Sequence, residues 1–246
     1  MAGTVTMDEA DGVSASEAKT PTGRGEVTAG SSAYLALAEI GYFGGVALTA
    51  VDLVLLAATT STDYSSAVPS TLVGSLLGLV IAVAWFQLGR KAGNSWFLAA
   101  GISGGMSVVL GMTISLMPKV NPPDFYFGVA EIEGIVSLAY FVLGVGAFFS
   151  AARVFQVRLF RYVGYLLVVG VLVTFVAGVV GTVLTATQPL CVPSSVGQSC
   201  VTQNGASLAM YGLSYLISAA TSLVAGIGFR RARGIVGLSK LQASAT

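Results

Sequence analysis

Six uninterrupted apolar runs constrain this chain more than any other feature of its sequence. They occupy about residues 33–59, 68–89, 96–117, 127–152, 162–187 and 206–229. Hydrocarbon about 30 Å thick needs roughly 20 apolar residues of helix at ~1.5 Å rise per residue. Every run meets that length. Inside lipid the backbone N–H and C=O groups must find partners within the protein, which leaves only helices or a closed β-barrel. A barrel is built from short segments of alternating hydrophobicity, whereas these runs are continuous. The sequence therefore predicts an all-α fold, a polytopic bundle of six transmembrane helices.

Charge supports the same class. Only 9% of the residues are charged, against about a quarter in soluble domains, so a large soluble domain is excluded. The loops are too short to fold independently, which makes residues 33–229 one membrane domain. Residues 1–32 are rich in Gly, Ala, Ser and Thr and poor in large apolar side chains. They cannot bury enough surface to offset the entropy of ordering, and a disordered cytoplasmic tail is expected. They lack the basic start and short apolar core of a signal peptide. Residues 230–246 read as a short basic cytoplasmic tail.

The net charge of +1 provides no electrostatic ground for a nucleic-acid partner; the bilayer is the expected one. The distribution of charge is more informative. Arg90, Lys91, Arg153, Arg158, Arg161, Arg230, Arg231, Arg233 and Lys240 alternate with the spans so as to fall on one side, with Lys19 and Arg24, while only Lys119 lies opposite. By the positive-inside rule both termini face the cytoplasm of an inner, cytoplasmic membrane. Arg153, Arg158 and Arg161 are interleaved with apolar residues, a pattern suited to anionic lipid headgroups. Topology determination alone accounts for it equally well. Cys191 and Cys200 share the loop between spans five and six. That loop lies on the oxidising side of this topology, so a disulfide is expected there.

Helical spacing selects the polar residues that face inward. In span one, Gly41, Gly45, Thr49 and Asp52 recur every three or four residues and share one face. Small residues admit close helix approach, so Asp52 is expected inside the bundle. Glu39 lies nearly opposite, close enough to the cytoplasmic end to reach the interface. In span four, Glu133, Ser137, Tyr140, Gly144, Ala147 and Ala151 form one polar, small-residue face, and Glu131 points away near the outer end. Asp52 and Glu133 lie at similar depth. Trp85 and Trp96 bracket the turn between spans two and three, and aromatic anchoring at the interface is the default for both. Spans five and six carry hydroxyl stripes, Gly170, Thr174, Gly178, Gly181 and Thr185 on one and Ser207, Tyr211, Ser214, Ser218, Thr221 and Ala225 on the other. Packing across helices or lining of a solute path both fit such stripes.

The chain contains no histidine. This excludes histidine-ligated haem, zinc–histidine hydrolysis and Ser-His proteolysis. No GxxxxGK[ST] or GxGxxG sequence opens a helix. No catalytic residues, metal ligands or cofactor are assigned, and a non-enzymatic role is expected. An ionisable group in a span marks a functional site by default. Asp52, Glu133, Ser137 and Tyr140 are therefore the candidate ion, proton or solute site. A short echo, AEIG at Ala38 and AEIEG at Ala130, is the trace an inverted repeat would leave. Two functions follow. The first is a structural or accessory subunit of a membrane assembly, with a membrane-protein partner or a second copy. The second is a small-solute, proton or cation transporter or channel that uses Asp52 and Glu133.

Overall fold

A computed structural model describes residues 31–58, 67–116, 123–187, 191–194, 197–200 and 205–244. Residues 1–30 of the expected disordered tail, residues 59–66 of the first outer loop and the Pro-containing turn at 117–122 lie outside these residues, while Ser31 and Ser32, expected in the tail, open the first helix. Among the described residues six helices are long and apolar enough to cross a membrane, the build of a multi-pass membrane protein. They are α1 (Ser31–Ala58), α2 (Ala67–Ala92), α3 (Ser95–Leu116), α4 (Pro123–Val154), α5 (Leu159–Thr187) and α6 (Gly205–Ser244). A two-stranded antiparallel ribbon, β1 (Cys191–Ser194) and β2 (Gly197–Cys200), lies between α5 and α6. Pro123 opens α4, where the missing N–H costs nothing because the first turn has no intrahelical acceptor for it. At the other extreme, α6 does not stop at residue 229 but continues through the basic segment to Ser244.

Each helix packs on its neighbours in sequence, and α1 closes against α6. The result is a ring of six helices. Because the number is even, consecutive antiparallel helices leave α1 and α6 antiparallel as well, and the ring closes without a parallel seam. One end of the ring holds the α2–α3 and α4–α5 turns, the start of α1 and the C-terminal part of α6. It carries Arg90, Lys91, Arg153, Arg158, Arg161, Arg230 and Arg231, all exposed, and is called the basic end below.

The turn from α2 to α3 is specified by two residues. Gly93 adopts φ +60°, a left-handed conformation that favours glycine, and Asn94 N donates to Gly89 O at 3.1 Å. Asn94 then caps α3: its Oδ1 accepts from Trp96 N at 3.0 Å and Phe97 N at 3.3 Å. Its Nδ2 donates to Ser150 Oγ at 2.7 Å and so ties the turn to α4. Close approach of α2 and α3 depends on Gly101, where an added Cβ would lie 2.5 Å from Phe86 N.

The core sits at the basic end and is aromatic. Each helix contributes one ring: Tyr42, Trp85, Phe97, Phe148, Phe160 and Phe229. Trp85 packs against Phe97, Phe148 and Phe229 with centroids 5.1, 5.2 and 5.3 Å away. Phe160 meets Phe229 edge-on at 4.9 Å, and Tyr42 stacks on Phe229 at 5.5 Å. Offset and edge-to-face pairs of this kind are worth about 0.5–1.5 kcal/mol each beyond area burial. This position corrects the expectation for Trp85, which is 1% exposed and internal, whereas Trp96 is 48% exposed and suits an interfacial anchor.

Candidate functional site

Immediately beyond the aromatic cluster, toward the other end of the ring, lies a cavity of about 280 Å³. Tyr42, Trp85 and Phe148 form its floor. Its walls come from α4, α5 and α6, and among the described residues no charged side chain lines it. Small residues on the inner faces of α4 and α5 create the space: Gly144 and Gly170 both line it, and a Cβ at Gly144 would meet nothing within 4 Å.

The polar groups of the cavity have defined hydrogen-bonding directions. Thr174 Oγ1 donates to Gly170 O at 2.9 Å, and Thr221 Oγ1 donates to Ile217 O at 2.7 Å. Each threonine hydroxyl has one proton, so both present acceptor lone pairs to their surroundings. Thr174 also lies 3.5 Å from Ser214 Oγ across the α5–α6 interface. On the floor, Trp85 Nε1 donates to Tyr42 Oη at 3.1 Å. Tyr42 accepts that bond, which leaves its own O–H proton for another partner.

The predicted carboxylates stand elsewhere. Tyr140 lines the cavity and packs on Gly104 of α3, but Asp52, Glu133 and Ser137 are not in its lining. Ser137 Oγ donates to Glu133 Oε1 at 2.5 Å and lies 2.8 Å from Ser107 Oγ. Ser137 has a single proton, committed to the carboxylate, so Ser107 donates to Ser137. The chain Ser107→Ser137→Glu133 therefore runs across the α3–α4 interface. Asp52 is half-buried on α1, which stands across the ring from α4, and no hydrogen bond joins Asp52 to Glu133. Glu131 is exposed.

At the basic end, Glu39 Oε2 lies 3.2 Å from Arg233 Nη2, with the side chains 12% and 43% exposed. The contact is an ion pair without hydrogen-bond alignment, and it clasps α1 to α6 where the ring closes. Arg153, Arg158 and Arg161 are exposed. Cys191 and Cys200 occupy directly opposed positions of the ribbon.

Comparison with protein-family models, with curated proteins and with solved structures gives no match. Function has to be read from the geometry.

Two features escaped sequence reasoning. The inward position of Tyr42, Trp85 and Phe148 has no local signature, because aromatic residues at span ends also serve as anchors. Ser107 joins Glu133 only through packing of α3 on α4. The hydroxyls of α5 and α6, by contrast, were marked by their helical spacing.

Proposed function

We propose that this chain is a non-catalytic membrane carrier or transporter for a small neutral molecule, held in the cavity between α4, α5 and α6. The observation that carries this reading is the cavity itself: an uncharged, hydroxyl-bearing chamber with an aromatic floor of rings from different helices. Its volume of about 280 Å³ is close to the lower end of small-molecule sites. It corresponds to roughly nine water volumes of ~30 Å³, enough for a compact organic molecule. A structural subunit needs close packing and an apolar exterior. The exterior here is what lipid alone requires, whereas the cavity is a cost in lost packing that a purely structural bundle has no reason to keep.

The aromatic cluster closes the basic end below the cavity, as a gate does in one state of a carrier. The excess of Arg and Lys at that end favours its placement in the cytoplasm, with both termini on that side. Exposed Arg153, Arg158 and Arg161 are suited to anionic headgroups there. Asp52 and Glu133 stand farther from the basic end along the inner stripes of α1 and α4, where a carboxylate is expected to act on a proton or cation during a cycle.

Native mass spectrometry after gentle-detergent purification tests the reading. The wild type should retain a small neutral adduct that Gly144→Phe, which fills the cavity, loses. A stoichiometric membrane-protein partner and no adduct would establish the subunit role instead.

A further inference from the structure

The interior of the ring changes character along its axis. On α6 one face, at spacings of three and four residues, carries Ser214, Ser218, Thr221, Ala225, Phe229 and Ala232. Ala225, Phe229 and Ala232 are fully buried and Thr221 nearly so, yet Ser218, about one turn farther from the basic end, is exposed on that same face. The matching stripe of α5 runs from buried Phe160 and Val163 through half-buried Gly170 to exposed Thr174. Every helix follows this gradient. Burial ends at Tyr42 on α1, Gly104 on α3 and Gly164 on α5, and it begins at Ala82, Ala147 and Thr221 on the three helices that run the other way. Among the described residues farther from the basic end than these six, none is buried. The ring is therefore a cup, sealed at the basic end by the aromatic cluster and open at the other.

The side chains on either face of the wall decide what fills the open half. Beyond the aromatic cluster the inner stripes carry small or polar residues, among them Gly45, Thr49 and Asp52 on α1, Ser107 on α3 and Ser137 on α4. The opposite faces of the helices at this level carry Val54, Val109, Ile135, Leu172 and Leu216, all more than half exposed. Apolar side chains turned out and hydroxyls and carboxylates turned in are the order that lipid outside and water inside require. Asp52 and Glu133 reach this space from opposite sides of the ring, whereas every described Lys and Arg lies at the basic end. A cleft of one sign of charge between low-dielectric walls concentrates counter-ions. We infer that the open half is an aqueous vestibule, through which the cavity is loaded from the side opposite the basic end, and that its carboxylates admit cations ahead of anions. The inference rests on the carrier reading above and specifies its route of entry and the charge it favours.

Single-cysteine variants of the full chain, in a background lacking Cys191 and Cys200, test the route. They are reconstituted into sealed vesicles of one orientation, and labelling of Arg158→Cys, exposed at the basic end, identifies the side that holds it. Two membrane-impermeant methanethiosulfonates, one bearing a trimethylammonium group and one a sulfonate, are then added to either side. Ser218→Cys should react from the side opposite the basic end and stay protected from the other. Leu216→Cys, which faces hydrocarbon, and Ala225→Cys, which is buried at the level of the cluster, should react from neither. Relative to their rates with a free thiol, the cationic reagent should outpace the anionic one about tenfold. Asp52→Asn combined with Glu133→Gln should bring that ratio close to one with the sidedness unchanged. Modification of Ser218→Cys from the basic end alone, or from neither side, would overturn the vestibule and leave the carrier reading to stand on the retained adduct. An unaltered ratio in the carboxylate variant would overturn the charge preference. The expected labelling in a wild type that retains no adduct would support the vestibule and overturn the carrier reading.

Discussion

Replacing Trp85 with alanine tests the aromatic cluster as the keystone of the ring. Lipid tails are as apolar as leucine, so transfer from water contributes little between helices in a bilayer and packing must be counted directly. Trp85 makes three ring contacts, with Phe97, Phe148 and Phe229, and one hydrogen bond to Tyr42. At about 0.5–1.5 kcal/mol per aromatic pair and about 1 kcal/mol for the hydrogen bond, the loss is roughly 3–5 kcal/mol. The general cost of truncating a buried tryptophan lies in the same range, about 3–5 kcal/mol. Circular dichroism in detergent should show Tm falling by an amount on the order of 10 °C. Leu138→Ala, at a position 60% exposed to the surroundings of the ring, is the control and should change Tm little. The variant should also merge the cavity with the space below it and admit a membrane-impermeant thiol reagent from the basic end to Ser218→Cys in a background lacking the native cysteines. Equal Tm values for Trp85→Ala and Leu138→Ala, with the basic end still closed, would refute the keystone role.

Other expectations follow from particular contacts. Gly101→Leu should destabilise the protein by about 1–3 kcal/mol or more, because its Cβ would meet the Phe86 backbone, whereas Gly105→Leu, with open space around it, should be tolerated in the same melt. A double-mutant cycle on Glu39→Gln and Arg233→Gln should give a coupling of about 0.5–1 kcal/mol, reduced from a buried pair by the exposure of the arginine and falling further with added salt. A coupling indistinguishable from zero at low salt would remove the clasp between α1 and α6. For the ribbon, direct opposition of Cys191 and Cys200 gives a Cα separation of about 4.5–5.5 Å, within the range a disulfide spans. Non-reducing thiol labelling of the wild type should be silent and Cys191→Ser should expose Cys200; free labelling of the wild type would exclude the bond.

Much of the architecture was legible in the chain because a bilayer is so restrictive a solvent. The length of each apolar run sets one helix, whereas the turn that Gly93 and Asn94 specify became visible only in the structure. The hydroxyls at Thr174, Ser214, Ser218 and Thr221 were visible as stripes because helical periodicity is a local property. Sequence periodicity could not assign the partners of those stripes. Asp52 and Glu133 share depth and inward-facing spacing, yet they belong to helices on opposite sides of the ring, and the carboxylate of Glu133 bonds to Ser137 instead.

The chain alone therefore determined the number of spans, their helical form and the segregation of basic residues, all of which depend on composition and on neighbours within a few residues. Only the tertiary structure decided that the helices close into a ring, that one aromatic residue from each converges at the basic end, and that a cavity survives above them. These depend on which helix faces meet, and the apolar surface of a span is chemically alike whether it meets lipid or another helix.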